Sequence, residues 1–470
     1  MTECIQSSFR FHDLYKREVA AHFDGGDITT DAGGLLLREV DRHLHLTERL
    51  GACFRDYRQA DRIEHTVQQL IAQRVYGLAL GYEDLNDHDQ LRADPMMAVL
   101  TGKQEPKGTD RRREQDVGKA GAGKSTLNRL ELTPPEADAN ARYKKIVYED
   151  AALDRLLVEI FVESYSSPPS RIVLDLDATD DPVHGNQEGR FFHGYYGAYC
   201  YLPLYIISGE FVLCARLRSS NIDPSAGVLE ELQRIVGQIR SRWPEVEIIL
   251  RGDGGFCRDA LMSWCEDKRV DYVFGLAKNK RLIKIIGKQL HEARAQFEQS
   301  GKAARVFSEF AWRTRKSWKQ ERRVIAKAEH LDKGGNPRFV VTSLTAEQME
   351  GRALYEELYC ARGEMENRIK EQQLALFADR TSTTLMRSNQ LRLYFSTFAY
   401  LLMQGLRRLG LKETEMAQAQ CQTIRVKLLR IGAQIRVTVR KVWVSLAAGY
   451  PFAAIFAQAH RHLMAVPLRA

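Results

Sequence analysis

No stretch of this sequence approaches the roughly 18 consecutive apolar residues of a membrane-spanning helix, so no membrane partner is expected. The first residues also lack the basic, apolar and small-residue succession of a secretory signal, and the expectation is a cytoplasmic protein. Cysteine is present but shows no pattern. Cys4, Cys53, Cys200, Cys214, Cys257, Cys265, Cys360 and Cys421 are scattered without a CxxC pair or a histidine at zinc spacing, which excludes a zinc module and leaves most of them as buried thiols. A strong excess of one charge is missing too. The 69 Lys and Arg against 61 Asp and Glu give a net charge of +8, which suits a polyanionic partner without identifying one. What is present is 470 residues with 44% hydrophobic content, enough for a sizeable core and two or three subdomains.

Along the chain, residues 1–135 read as a mainly helical N-terminal region, a candidate DNA-binding part. Leu70, Ile71, Arg74, Val75 and Leu78 recur at three- and four-residue steps, placing an apolar face beside an Arg/Gln face; packing on neighbouring helices is the competing reading. Residues 101–122 form an exposed basic loop. From 140 to 280 the character changes. Three apolar runs rich in β-branched and aromatic residues (171–180, 200–209, 211–220) are followed by a helical pattern at 228–243, the strand EIILRGD, a short helix and the strand DYVFGLAK. The order β-β-β-α-β-α-β predicts an α/β fold with an RNase-H-like mixed sheet as its core, in which the first and fourth strands pair at the centre. Residues 281–340 read as a β-rich basic insertion, 341–410 as the second part of the core, and 411–470 as a basic C-terminal region in which 424–446 alternates basic and apolar residues as a hairpin does.

Three short acidic pieces carry the chemistry: LDLDAT at 174–179, LRGDGGF at 250–256 and YCARGEMEN at 359–367. Breaking a phosphodiester bond needs an activated oxygen nucleophile and a stabilised leaving oxygen, and two divalent cations supply both. Mg²⁺ prefers hard oxygen ligands, so carboxylates without Cys or His are the expected equipment. Asp177, Asp253 and Glu366 meet that need. Asp175 and Asp177 point to one face of the same strand; Asp177, at the strand's exit, is preferred, and Asp175 is the second choice. Asp253 sits in a glycine-rich strand terminus. Glu366 shares a helical face with Arg362. In the insertion, Trp312 and Trp318 with Arg315 and Lys319 are candidates to stack an extruded base and hold phosphates, with packing as the alternative for the two rings.

Tyr359, Arg362 and Glu366 in YCARGEMEN resemble the Y-x2-R-x3-E signature of DDE transposases from bacterial insertion sequences. GYEDLNDHDQLRADP at 81–95, AGKSTLNRLE at 122–131, HGNQEGRFFHGYYGAYCYLPLYI at 184–206 and RGDGGF are similar to segments of the insertion-sequence family numbered thirteen-eighty, so the resemblance covers nearly the whole chain. It implies an RNase-H-like transposase that binds terminal inverted repeats, cleaves there and joins 3′ ends to target DNA, acting as a homodimer on double-stranded DNA. It implies two Mg²⁺ per site, with Mn²⁺ as substitute, held by Asp177, Asp253 and Glu366, while Tyr359 and Arg362 orient a DNA phosphate or the glutamate. The signature continues with Lys seven residues after Glu; here Gln373 stands in that place, and Lys370, one turn earlier, is the candidate replacement. A nuclease without strand transfer and a catalytically silent DNA-binding protein are the alternatives.

Gly118 to Ser125 also satisfies GxxxxGK[ST], the phosphate-cradling loop of nucleotide-binding proteins. That loop works only between a buried strand and a helix N-terminus, and the charged TDRRREQDV before it is no strand, so no nucleotide cofactor is expected.

Overall fold

A computed structural model describes residues 8–467; Cys4 lies outside them. The chain divides into two compact units, one of residues 1–149, 375–377 and 398–470, the other of 150–374 and 378–397.

The second unit is built on a nine-stranded mixed sheet. Its order runs Phe211–Arg216, Leu204–Ser208, Arg171–Ala178, Glu247–Gly252, Asp271–Leu276, Arg338–Thr342, Arg322–Leu331 and Ala304–Trp312, with the short Gly334–Gly335 pairing beside Arg322–Leu331. The Asp177 strand lies inside this order: Ile172, Leu174 and Leu176 share one of its faces and are all buried, while Val173, Asp175 and Asp177 share the other. It pairs antiparallel with Leu204–Ser208 and parallel with Glu247–Gly252. The parallel step requires a crossover, supplied by the helix Val228–Arg242. Val228, Leu232, Ile235, Val236 and Ile239 are that helix's buried stripe, at the spacing its sequence shows.

The segment expected as a β-rich insertion is different in two respects. Its first third is helical, in Lys280–Ile285 and Gly287–Ser300, and its strands extend the main sheet instead of forming a separate one. Gly287–Ser300 fully buries only Ala293, with Leu290 and Phe297 half-buried beside it, so its sequence carries only a thin apolar stripe to announce a helix. Arg322 fastens the extension to the helix Asp259–Lys268: its guanidinium donates to Asp259 at 2.8 Å and to Glu266 at 2.7 Å.

The first unit holds the helix Val67–Leu80, which begins with a capping box between Thr66 and Gln69 and ends at Gly81 in the left-handed conformation. Nearly the whole of it is buried from Leu70 onward, the Arg/Gln face included. Arg74 donates to Glu131 at 2.7 Å, and Gln73 holds both the N–H and the carbonyl of Ala122. That face packs inward and cannot meet DNA. The same network closes the GAGKS segment: the helix Lys124–Glu131 follows no strand, and the Asp89 carboxylate accepts from the Lys124 N–H at 3.0 Å, where a phosphate would have to sit.

The C-terminal hairpin forms from Ala433–Val437 and Val442–Leu446, and its first strand pairs with Asp27–Thr29. Residues 424–429, expected within its alternation, are helical instead. Among the described residues no helix is long and apolar enough to cross a membrane. Cys53, Cys200, Cys214, Cys265 and Cys421 are buried, Cys257 is half-buried and Cys360 is exposed.

Candidate active site

Strand register sets the first two carboxylates side by side. Arg251 lies opposite Asp175 and Gly252 opposite Leu176, so the next residues along the two parallel strands are Asp253 and Asp177. Asp253 then leaves the sheet in a tight turn, its Oδ1 accepting from the Gly255 N–H at 2.8 Å. Gly275, on the neighbouring strand, makes room for this turn. A Cβ there would come within 2.6 Å of the Tyr359 hydroxyl and 3.0 Å of the Gly254 nitrogen.

The same register separates the two candidate strand aspartates. Arg251 donates to both oxygens of Asp175, Nε to Oδ1 at 2.5 Å and Nη2 to Oδ2 at 2.7 Å, with both side chains buried. Its remaining nitrogen donates to the carbonyl of Leu358 at 2.6 Å. Asp175 is thus engaged by a fixed cation, and Arg251 ties the strand to the segment that carries Tyr359, Arg362 and Glu366. Neither role is visible in the sequence, where Arg251 is one more arginine before a glycine turn; only pairing of the two strands brings it to Asp175.

That segment is irregular. A π-helical turn at Leu354–Tyr359 and a 3₁₀ turn at Cys360–Arg362 precede the α-helix Gly363–Leu376, a local distortion often found where a helix presents functional groups. It aims Arg362 at two carboxylates at once, Asp177 Oδ1 at 3.3 Å and Glu366 Oε1 at 2.9 Å. Burial pushes the Asp177 carboxyl up to about 6; Arg362 pulls it down, and the charges of Asp253 and Glu366 push it up again. Three acidic groups therefore repel one another across a small space into which one guanidinium reaches. Tyr359 feels the same groups: burial raises its phenol, Arg362 opposes this and Asp253 adds to it.

Beside Asp253 opens a cavity of about 500 Å³ lined by Lys278, Arg338, Tyr359 and Arg362 among others. Nothing in the sequence sets Lys278, two residues beyond the strand Asp271–Leu276, or Arg338, the first residue of Arg338–Thr342, apart from the cations around them. Lys370 is exposed one turn beyond Glu366. Gln373, in place of the signature's lysine, donates to the backbone carbonyl of Asp180 at 3.2 Å and so braces the helix against the segment that follows Asp177.

Among the described residues no three His, Cys, Asp or Glu side chains are grouped closely enough to cage an ion. The donor set nevertheless suits a hard divalent cation: the three acidic side chains offer only oxygen, and the site draws a positive group, Arg362, between two of them. Trp312 and Trp318 stand elsewhere and face inward. They are 6% and 7% exposed and meet edge to face at 5.1 Å, leaving no open ring for a base, while Arg313, Arg315, Lys316 and Lys319 around them are exposed. The two rings pack as the anchor of a cationic loop, which corrects the stacking role considered for them.

A family model described as transposase DDE domain group 1 matches residues 11–468. No curated protein matches the chain. Among solved structures the chain is similar to piggyBac transposase in its synaptic complex with hairpin DNA, at 11% identity over 85% of this chain and 80% of that one, with a TM-score of 0.40. With its family model spanning nearly all of the sequence, the chain belongs to the DDE-domain transposases of group 1.

Proposed function

We propose that this transposase cuts DNA at the ends of its element and joins the 3′ ends to target DNA, using an RNase-H-like core in which Asp177, Asp253 and Glu366 bind two Mg²⁺ ions. The observation that carries the reading is that register sets Asp177 and Asp253 side by side on adjacent parallel strands while Arg362 joins Asp177 to Glu366 on the helix. Divalent cations, when bound, supply an activated oxygen nucleophile and stabilise the leaving oxygen. The chain's own residues do the rest. Arg362 offsets part of the carboxylate charge and is placed to turn to a DNA phosphate once that charge is otherwise neutralised. Lys278, Arg338 and Tyr359 line the cavity where the backbone next to the scissile bond would lie. The exposed cations Arg315 and Lys319, with Lys370 on the catalytic helix, extend this contact surface. Two ends have to be joined, so a homodimer on DNA is the expected working form.

The assay that tests this uses labelled element ends with Mg²⁺. Joined products support the proposal; cleavage without joining indicates a nuclease, and binding alone a silent DNA-binding protein.

In the first unit, DNA contact is proposed for the C-terminal hairpin. Arg38, Lys103, Lys107, Arg440 and Lys441 line a cavity of about 880 Å³ with Glu105 as its one acidic member. Thr438 and Lys441 close the hairpin turn through backbone and hydroxyl bonds, holding the tip in one shape. Removing Arg440 and Lys441 together is expected to lower the slope of log affinity against log salt by about 2, near 0.9 for each lost phosphate contact. An unchanged slope in a fluorescence-anisotropy titration would place DNA elsewhere on this unit.

A further inference from the structure

The hairpin formed by Phe191–His193 and Ala198–Tyr201 is rich in aromatic residues. Its sequence, FFHGYYGAYCY, presents Phe192, Tyr195 and Tyr199 to solvent at 59%, 87% and 48% exposure. Large flat rings left this open carry a cost in water that a fold normally avoids by turning them inward, as it does with Trp312 and Trp318. The patch contains no Leu, Ile or Val, so it offers π faces with polar edges instead of an aliphatic surface.

Its internal geometry keeps those faces available. Phe192 and Tyr199 are cross-strand partners and meet edge to face at 5.6 Å; Tyr195 and Tyr196 do the same at 5.0 Å. An edge-to-face pair covers an edge of one ring and one face of the other, so each ring keeps at least one face out of the pair. Arg190 lies over the Tyr199 ring at 4.4 Å, adding a positive charge to the patch. The turn Gly194–Gly197 is closed by the Gly197 N–H to the His193 carbonyl at 2.8 Å, and neither glycine has a neighbour within 4 Å where a side chain would be.

The hairpin is fixed next to the carboxylates. Its second strand pairs with Asp181–Pro182, Asp181 opposite Tyr201 and Pro182 opposite Cys200, and Asp181 is four residues beyond Asp177 in the chain. The Ser220 hydroxyl holds the Phe191 carbonyl at 2.9 Å from the other side. Tyr196 lies close enough to Asp180 and Asp177 to feel both charges.

We propose that this hairpin is a nucleobase-stacking platform that receives unpaired bases beside the cleavage site, with Phe192, Tyr195 and Tyr199 supplying the faces. The proposal rests on the transposase reading and deepens it. Every base has a π face, so stacking here is tolerant of sequence, and each ring used is worth on the order of 10-fold in affinity. Bases next to a cut phosphodiester lose their place in the duplex stack, and a rigid aromatic edge a few residues from the metal-binding carboxylates is positioned to take them.

The test compares the full-length protein with Phe192→Ala/Tyr195→Ala and with Tyr195→Phe. The probes are a blunt duplex and the same duplex carrying a short single-stranded overhang with 2-aminopurine in it. The wild-type protein is expected to bind the overhang duplex more tightly than the blunt one and to change the 2-aminopurine fluorescence. The double alanine variant should lose about 10-fold or more on the overhang duplex alone, and Tyr195→Phe, which keeps the ring face, should behave as wild type. The proposal is overturned if the double variant binds both probes as wild type does, or if Tyr195→Phe loses as much as the alanine variant. It is also overturned if sedimentation without DNA shows a wild-type dimer that the double variant cannot form, since the patch would then be an interface between copies. Failure of the wild-type protein to bind either duplex would instead count against the transposase reading itself.

Discussion

Asp177→Asn will abolish DNA cleavage and at the same time make the metal-free protein more stable at neutral and alkaline pH. The activity loss follows from removing an anionic ligand: metal assistance is worth several kcal/mol of barrier, so a fall of about 10³-fold or more is expected. The gain in stability follows from the electrostatics of the carboxylates without a cation. Burial, with Asp253 and Glu366 nearby, lifts the Asp177 carboxyl from the ordinary 3.8 to about 6 despite Arg362. A carboxyl raised on folding favours the protonated form in the native state. The folded protein therefore loses stability as pH rises from the ordinary carboxyl range through about 6, and above that it bears the full cost of a buried charge. Asparagine removes this cost, worth about 2–3 kcal/mol above pH 7 and nothing at pH 4. Thermal melts with a chelator at the two pH values check it: the variant should melt several degrees higher at pH 8 and together with wild type at pH 4. A variant less stable at pH 8 would show that Asp177 contributes to the fold instead of burdening it.

The second large effect concerns Arg251. Its pair with Asp175 is buried, and removing one member of such a pair leaves the other as an uncompensated charge, at a cost of about 3–5 kcal/mol. Arg251→Met should therefore destabilise strongly in chemical denaturation. Adding Asp175→Leu removes the stranded carboxylate and should restore most of the loss, since an apolar pair of similar volume often replaces a buried ion pair at little cost. Cleavage should not return in the double variant, because the Leu358 carbonyl still lacks its donor and the turn carrying Arg362 and Glu366 is no longer tied to the strand. A double variant that recovers both stability and cleavage would reduce Arg251 to a mere counter-ion.

Much of this was legible in the sequence because short-range signals carried it. Alternating and apolar runs placed the strands around Asp177 and Asp253, and the glycines after Asp253 announced a turn at a strand end. What escaped depended on long-range pairing. Asp175 and Asp177 share a face, and only the parallel register with Glu247–Gly252 assigns Arg251 to the first and leaves the second facing Asp253 and Glu366. The helix Gly287–Ser300 is polar over most of its surface and meets its unit through a thin stripe of Leu290, Ala293 and Phe297, so periodicity has little to read. Tryptophans beside arginines are compatible with base stacking or with packing; burial against each other decides for Trp312 and Trp318. The aromatic run at 191–201 reads in the sequence as part of a resemblance, and its exposure depends on the pairing of the strands around Asp181.

The central claim is that these carboxylates hold the cations that cut and join DNA. A thiolate is a poor ligand for Mg²⁺ and a better one for softer ions. Asp253→Cys should therefore lose the joining of labelled element ends in Mg²⁺ and recover it, at least in part, in Mn²⁺, while the wild-type protein works with both. Joining by Asp253→Cys that equals wild type in Mg²⁺, or a loss that no concentration of Mn²⁺ reverses, would contradict the assignment.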